Sequence, residues 1–151
     1  MGRFVNPDNS AFQVALNSRI YVDKTGSYTA NMLTAYYSNG ADSEKMFSGL
    51  EISKAADFRK HLNKYDLIHI DVQWFLANCA KADDVVAFIT ESILDELRTI
   101  YPCVLPSEEI SLPDALSRIR EKTGQKFVVI IDELDVLIRD AAANSKVQKE
   151  Y

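Results

Sequence analysis

Glycine is scarce in this chain, with five in 151 residues, alongside four prolines and two cysteines. That excludes collagen-like and linker-dominated sequences, and it is few for a protein that cradles phosphate on glycine-rich backbone. Cys79 and Cys103 lack CxxC spacing, which excludes a disulfide framework or zinc knuckle and leaves both expected as small core fillers. Positive charge is in deficit, 17 Lys+Arg against 22 Asp+Glu for a net −5, which argues against holding nucleic acid by charge alone. No stretch of 18 apolar residues is present, and Met1-Gly2-Arg3-Phe4-Val5-Asn6 has no apolar signal core, so the expected location is the cytoplasm. Hydrolase signatures are also lacking: there is no Gly-x-Ser-x-Gly, no Cys–His pair stands out, and neither His61 nor His69 has a metal-binding partner at suitable spacing.

What remains is 47% hydrophobic with 26% charged residues, the make-up of one globular domain. Residues 1–20 read as polar and irregular, ending in the β-prone run Arg19-Ile20-Tyr21-Val22. From Ser27, the stripe Met32, Leu33, Tyr36, Tyr37 predicts an amphipathic helix, stopped by Asn39-Gly40 with a left-handed cap. A short helix from Ser53 turns Ala55, Phe58 and Leu62 inward, and Tyr65–Asp71 follows as a strand. Asp83-Asp84 opens a long helix striped by Val85, Ile89, Ile93, Leu97 and Ile100, which Pro102 ends. Ser111 caps a further helix that buries Leu112, Ala115, Leu116 and Ile119 and stops at Thr123-Gly124. Phe127–Ile131 is apolar throughout, as in a parallel strand covered on both faces, and a last helix runs from about Leu134 through Ala143. Strand, crossover helices, strand and helix spell an open α/β sheet, whose ligands sit beyond the carboxyl ends of its strands, where Asp71 and Asp132 fall.

The apolar run followed by Asp132-Glu133 has the Walker B form. A buried strand holds Asp132 at its tip to bind a water of Mg²⁺, and Glu133 polarises the water that attacks the γ-phosphate. The plain alternative is an acidic strand end that caps the next helix, and a third reading gathers Asp71, Asp132 and Asp135 into a Mg²⁺ cluster of phosphatase or receiver type, although no Asp-x-Asp nucleophile is present. Trp74 and Phe75 are expected in the core under the long helix. Arg118, Arg120, Lys122 and Lys126 read as a solvated basic face.

A collinear series extends the pattern: Tyr21-Val22-Asp23-Lys24-Thr25-Gly26, Ala30-Asn31-Met32-Leu33 with Tyr36-Tyr37, Phe47-Ser48-Gly49-Leu50-Glu51-Ile52, Leu62-Asn63-Lys64-Tyr65-Asp66, and Ile130-Ile131-Asp132-Glu133. Over residues 10 to 150 the chain resembles the AAA-ATPase-like family of P-loop NTPases. The resemblance implies a three-layer open parallel sheet, ATP and Mg²⁺ as ligands, and in longer members a following PD-(D/E)xK nuclease-like domain with nucleic acid as its target. Relatives carry a helix, a strand and an Arg-Arg-Phe-Gly-Lys-Ser/Thr phosphate loop between the first two elements; here Gly26 joins Ser27 directly. By that alignment Ser27 supplies the Mg²⁺-binding hydroxyl, while the Walker A lysine and its cradle are absent. Lys24 does not replace them, because Asp23 precedes it where backbone N–H groups must face phosphate. The expected protein is therefore a single, partial α/β domain over residues 1–151. It has a segment missing between Gly26 and Ser27 and breaks off after Tyr151, and its ATP turnover is impaired. The alternative is a non-catalytic interaction module, whose apolar edges invite self-association.

Overall fold

A computed structural model describes residues 2–17, 25–81, 84–105 and 109–137, with backbone alone for 25–27. Within them lie helices α1 (Ser10–Asn17), α2 (Thr25–Tyr37), α3 (Glu44–Phe47) and α4 (Phe58–His61), with a 3-10 turn over Glu51–Lys54. Strand β1 (Asp66–Asp71), helices α5 (Val72–Asn78), α6 (Val85–Ile100) and α7 (Leu112–Thr123), and strand β2 (Phe127–Asp132) follow. The two strands pair in parallel, in register from Asp66 opposite Phe127 to Asp71 opposite Asp132. A parallel pair needs a crossover, and α5 to α7 supply it. The structure is thus mixed α/β, and its described sheet has two named strands.

Side chains alternate across β1. Ile68 packs with Ile93, Leu94 and Leu97 of α6 and Ala115 and Ile119 of α7. His69, on the other face, meets Thr34 of α2, and its Nδ1 lies 3.2 Å from Thr34 Oγ1. A second cluster under α2 joins Phe12, Ala35, Tyr36, Phe47, Phe58 and Leu62. Each large side chain fully buried in this way contributes about 1.5–3 kcal/mol.

The helix signals in the central and later parts of the chain hold closely. Ser111 accepts from the Asp114 amide at the start of α7, and Gly124 closes it in the left-handed region at φ 72°. Elsewhere tertiary contacts overrule local signals. Gly40 is not a left-handed cap; a Cβ there would stand 2.1 Å from the Asn6 carbonyl oxygen, so the position requires glycine for close approach. The end of α2 is instead satisfied from a distance, as Asn63 Nδ2 donates to the Ala35 and Ser38 carbonyls at 2.8 Å each. Ala55 is exposed in an extended link, while Phe58 and Leu62 turn inward as expected. Cys79 is half-buried at the end of α5 and Cys103 exposed in the turn after α6, so neither fills the core. Val129 and Ile131 are 50% and 52% exposed, which corrects the reading of β2 as covered on both faces. Among the described residues β2 pairs only with β1 and is an edge. The predicted run Arg19–Val22 and the last helix beyond residue 137 lie outside the described residues.

The polar N-terminal stretch is the largest departure. Val5, fully buried, bridges antiparallel to Ile68 on the edge of β1 away from β2. Glu96 of α6 holds this strap, its carboxylate accepting from the amides of Arg3, Phe4 and Val5 at 2.9, 2.8 and 2.7 Å. Asp66, 1% exposed, completes the lock. Its Oδ1 accepts from Asn6 Nδ2 at 3.0 Å and Asn39 Nδ2 at 2.7 Å, and its Oδ2 from the Tyr101 hydroxyl at 2.6 Å. Burial, and then the Asp66 carboxylate, push the Tyr101 hydroxyl well above its ordinary value of 10.0.

Replacing Asp66 by Ala leaves two amides and a hydroxyl without their acceptor and is expected to cost about 3 kcal/mol, read from urea unfolding. Because Tyr101 stays protonated in the folded state while the unfolded phenol ionises near pH 10, stability is intact below that pH and declines above it. Unfolding followed from pH 8 to 11 should show this decline, and Tyr101→Phe should flatten it.

Candidate functional site

Register places Asp71 and Asp132 side by side at the carboxyl ends of β1 and β2, one strand spacing of about 4.8 Å apart. Each is engaged locally. Asp71 ends β1 and caps α5, its Oδ1 accepting from the Trp74 amide at 2.9 Å. Asp132 is half-buried, and its Oδ1 accepts from the Glu133 amide at 3.0 Å. His69 lies two residues before Asp71, on the same face. Burial lowers the His69 pKa from 6.5, against the opposing pull of Asp132 and Asp71. Its Nε2 is buried without a hydrogen-bond partner.

Glu133 stands out in the backbone. Three non-glycine residues among those described have positive φ: Asn6 at 51°, Asn63 at 54° and Glu133 at 58°. Asparagine tolerates the left-handed region, and both asparagines bond through their side chains to backbone or to Asp66. Glutamate has no such aptitude, so the strand tip holds it there at a cost of about 1–2 kcal/mol. Strain of that kind collects at functional positions.

The donor set suits a hard cation in part. Mg²⁺ needs one or two carboxylates and completes its shell with waters and phosphate oxygens, which paired strand-tip acids allow. Among the described residues, however, no group of three or more His, Cys, Asp or Glu could hold a metal ion. The three-carboxylate cluster is therefore not formed: Asp135 lies exposed in the turn of helix over 135–137. Ser27 is the third residue of α2, which runs unbroken across Gly26 and Ser27 and packs on both strands, while the Ser27 side chain lies outside the described residues.

The family model for predicted AAA-ATPases matches residues 26–151. The chain belongs to this family. Its match takes in both strands and both tip acids. No curated protein and no solved structure matches it. None of the helices among the described residues of this family member is long and apolar enough to cross a membrane.

Sequence reading missed the neighbourhood of these acids. A half-open cavity of about 380 Å³ lies between the N-terminal strap, α1, α2 and the tip of β1. Arg3, Asp8, Asn31, His69, Asp71 and Trp74 line it. The Arg3 guanidinium sits 3.9 Å from the centre of the Trp74 ring, a cation–π contact. Phe75 is fully buried, as expected, whereas Trp74 is half-buried and packs on Phe4 and Phe88. A charged residue 71 positions before its aromatic partner leaves no periodic signal, so only the fold reveals the pair.

Glu133→Gly should relieve the backbone strain and raise stability by about 0.5–1 kcal/mol, measured by the urea midpoint. An Ala substitution at the same position should give no such gain, since Ala meets the same left-handed penalty.

Proposed function

We propose that this chain carries the metal-side half of an ATP site of AAA-ATPase type. The observation that carries this reading is Asp132 at a parallel strand tip, beside Asp71 in register and followed by the strained Glu133. Asp132 would hold Mg²⁺ through water, with Ser27 contributing a hydroxyl from the first turn of α2. The bound ion would neutralise charge on the β- and γ-phosphates. Glu133 would orient and polarise the attacking water. The larger layered sheet of a P-loop NTPase, a downstream nuclease-like domain and action on nucleic acid are likewise inferred from the resemblance, whereas the family's Walker A loop is absent from this sequence. Without a glycine-rich cradle nothing fixes the phosphates in line, and positioning supplies most of the catalysis in phosphoryl transfer. Turnover by this chain is therefore impaired.

A second reading has its own support. Val129 and Ile131 on the edge strand β2, and Leu134 in the turn just beyond it, are 50%, 52% and 53% exposed, a surface suited to self-association in a non-catalytic interaction module.

Purified chain is expected to hydrolyse ATP no faster with Mg²⁺ than without it, and Glu133→Gln should change nothing. Mn²⁺ used as a paramagnetic stand-in should broaden amide signals around 71 and 132–133, an effect that Asp132→Asn removes. Mg²⁺-dependent turnover that is lost in Glu133→Gln would refute the impairment, and broadening undiminished in Asp132→Asn would refute the metal role. Sedimentation decides the second reading: a monomer with cooperative unfolding at all concentrations counts against it.

A further inference from the structure

The cavity at the tip of β1 contains more unspent hydrogen-bonding capacity than packing explains. Asp8 and Asp71 each engage only Oδ1, with Ser10 and with the Trp74 amide respectively, and leave Oδ2 without a partner among the described residues. Arg3 makes no ion pair there and rests its guanidinium on Trp74, so its N–H groups remain available. Asn31, half-buried on α2, also lines the cavity, and its carboxamide has no hydrogen-bond partner among the described residues. The walls thus offer acceptors and donors side by side, at a volume near the small end of ligand sites.

Charge narrows the class of ligand. A phosphate or other anion meets two carboxylates against one guanidinium, and a simple cation meets Arg3. Groups that both donate and accept suit such a wall: a hydroxyl donates to a carboxylate oxygen while it accepts from a guanidinium or carboxamide N–H. Two neighbouring hydroxyls can share one carboxylate.

We propose that this cavity binds a neutral, hydroxyl-rich small molecule of the ribose class, with Asp8 and Asp71 accepting from its hydroxyls and Arg3 and Asn31 donating to them. The Glu96 latch on the amides of Arg3, Phe4 and Val5 holds the Arg3 wall in place. The cavity shares Asp71 with the strand-tip pair, while Asp132, to which the metal reading assigns Mg²⁺, does not line it.

Trp74 is the one tryptophan in the chain and lines this cavity, so intrinsic fluorescence reports on it directly. D-ribose, adenosine and glycine are titrated separately into the full chain, without added metal. A saturable change with ribose is expected if a free sugar is the ligand, and with adenosine alone if the sugar is a nucleoside's. Asn31→Leu, which fills the space, and Asp8→Asn, which keeps the Ser10 contact, should each weaken the response about tenfold. Their unfolding midpoints, measured in parallel, establish that both variants are folded; should one fail to fold, the other decides. The proposal is overturned if neither sugar probe saturates, if only the zwitterion glycine does, or if the response survives unchanged in the folded variants.

Discussion

The Asp66 carboxylate is the constraint on which the rest of the structure depends. It is nearly inaccessible at 1% exposure, and removing such a group from water is costly unless its lone pairs are used. Three donors use them, and each comes from a different part of the chain: Asn6 from the N-terminal strap, Asn39 from the turn after α2, and Tyr101 from the end of α6. None of the three segments can shift without exposing an unpaired polar atom. Asp66 also begins β1, so the same contacts that secure the strap and the helices set where that strand starts. The strand then runs six residues and delivers Asp71 to its tip.

From that anchor, the chemistry at the other end follows by register. Parallel pairing from Asp66 opposite Phe127 leaves Asp71 opposite Asp132, because the two strands are equal in length. A slip by one residue would turn every side chain of β2 to the other face and separate the two acids. The uneven burial of β2 opposes that slip: Val128 and Ile130 are half-buried on one face while Val129 and Ile131 are exposed on the other, and a slip would exchange them. Packing energy in the middle of the sheet is thereby converted into carboxylate geometry at its end. The strained backbone of Glu133 sits immediately beyond, where a following helical turn limits the room to relax.

How much of this was legible depends on the range of the forces involved. The stripe Val85, Ile93, Leu97 announced α6, and Ser111 with Gly124 framed α7, since both signals act within one or two helical turns. The tip acids could be read because an apolar run followed by Asp132-Glu133 needs no distant partner to be recognised. Gly40 misled because a glycine needed for close approach to Asn6 looks the same in sequence as one needed for a left-handed cap. Cys79 and Cys103 misled because local apolar neighbours say nothing about which side of an element faces solvent. The exposure of Val129 and Ile131 was hidden for the same reason: an apolar run reports what a strand tolerates, not which neighbours it has.

The sequence by itself determined the helix frames of α6 and α7, the two strands, and the presence of paired acids at strand ends within a family of predicted AAA-ATPases. Those features arise from periodicity, capping and composition, which operate over a few residues and need no knowledge of the fold. Only the tertiary structure decided that the polar N-terminus is a buried edge segment, that Asn63 closes α2, and that Arg3, Asn31 and Asp71 surround one cavity. Asn6 and Asp66 lie 60 positions apart, and Arg3 and Glu96 lie 93 apart. Contacts over such separations form when chain topology brings the groups together and burial makes leaving them unpaired too costly. No local pattern encodes that choice.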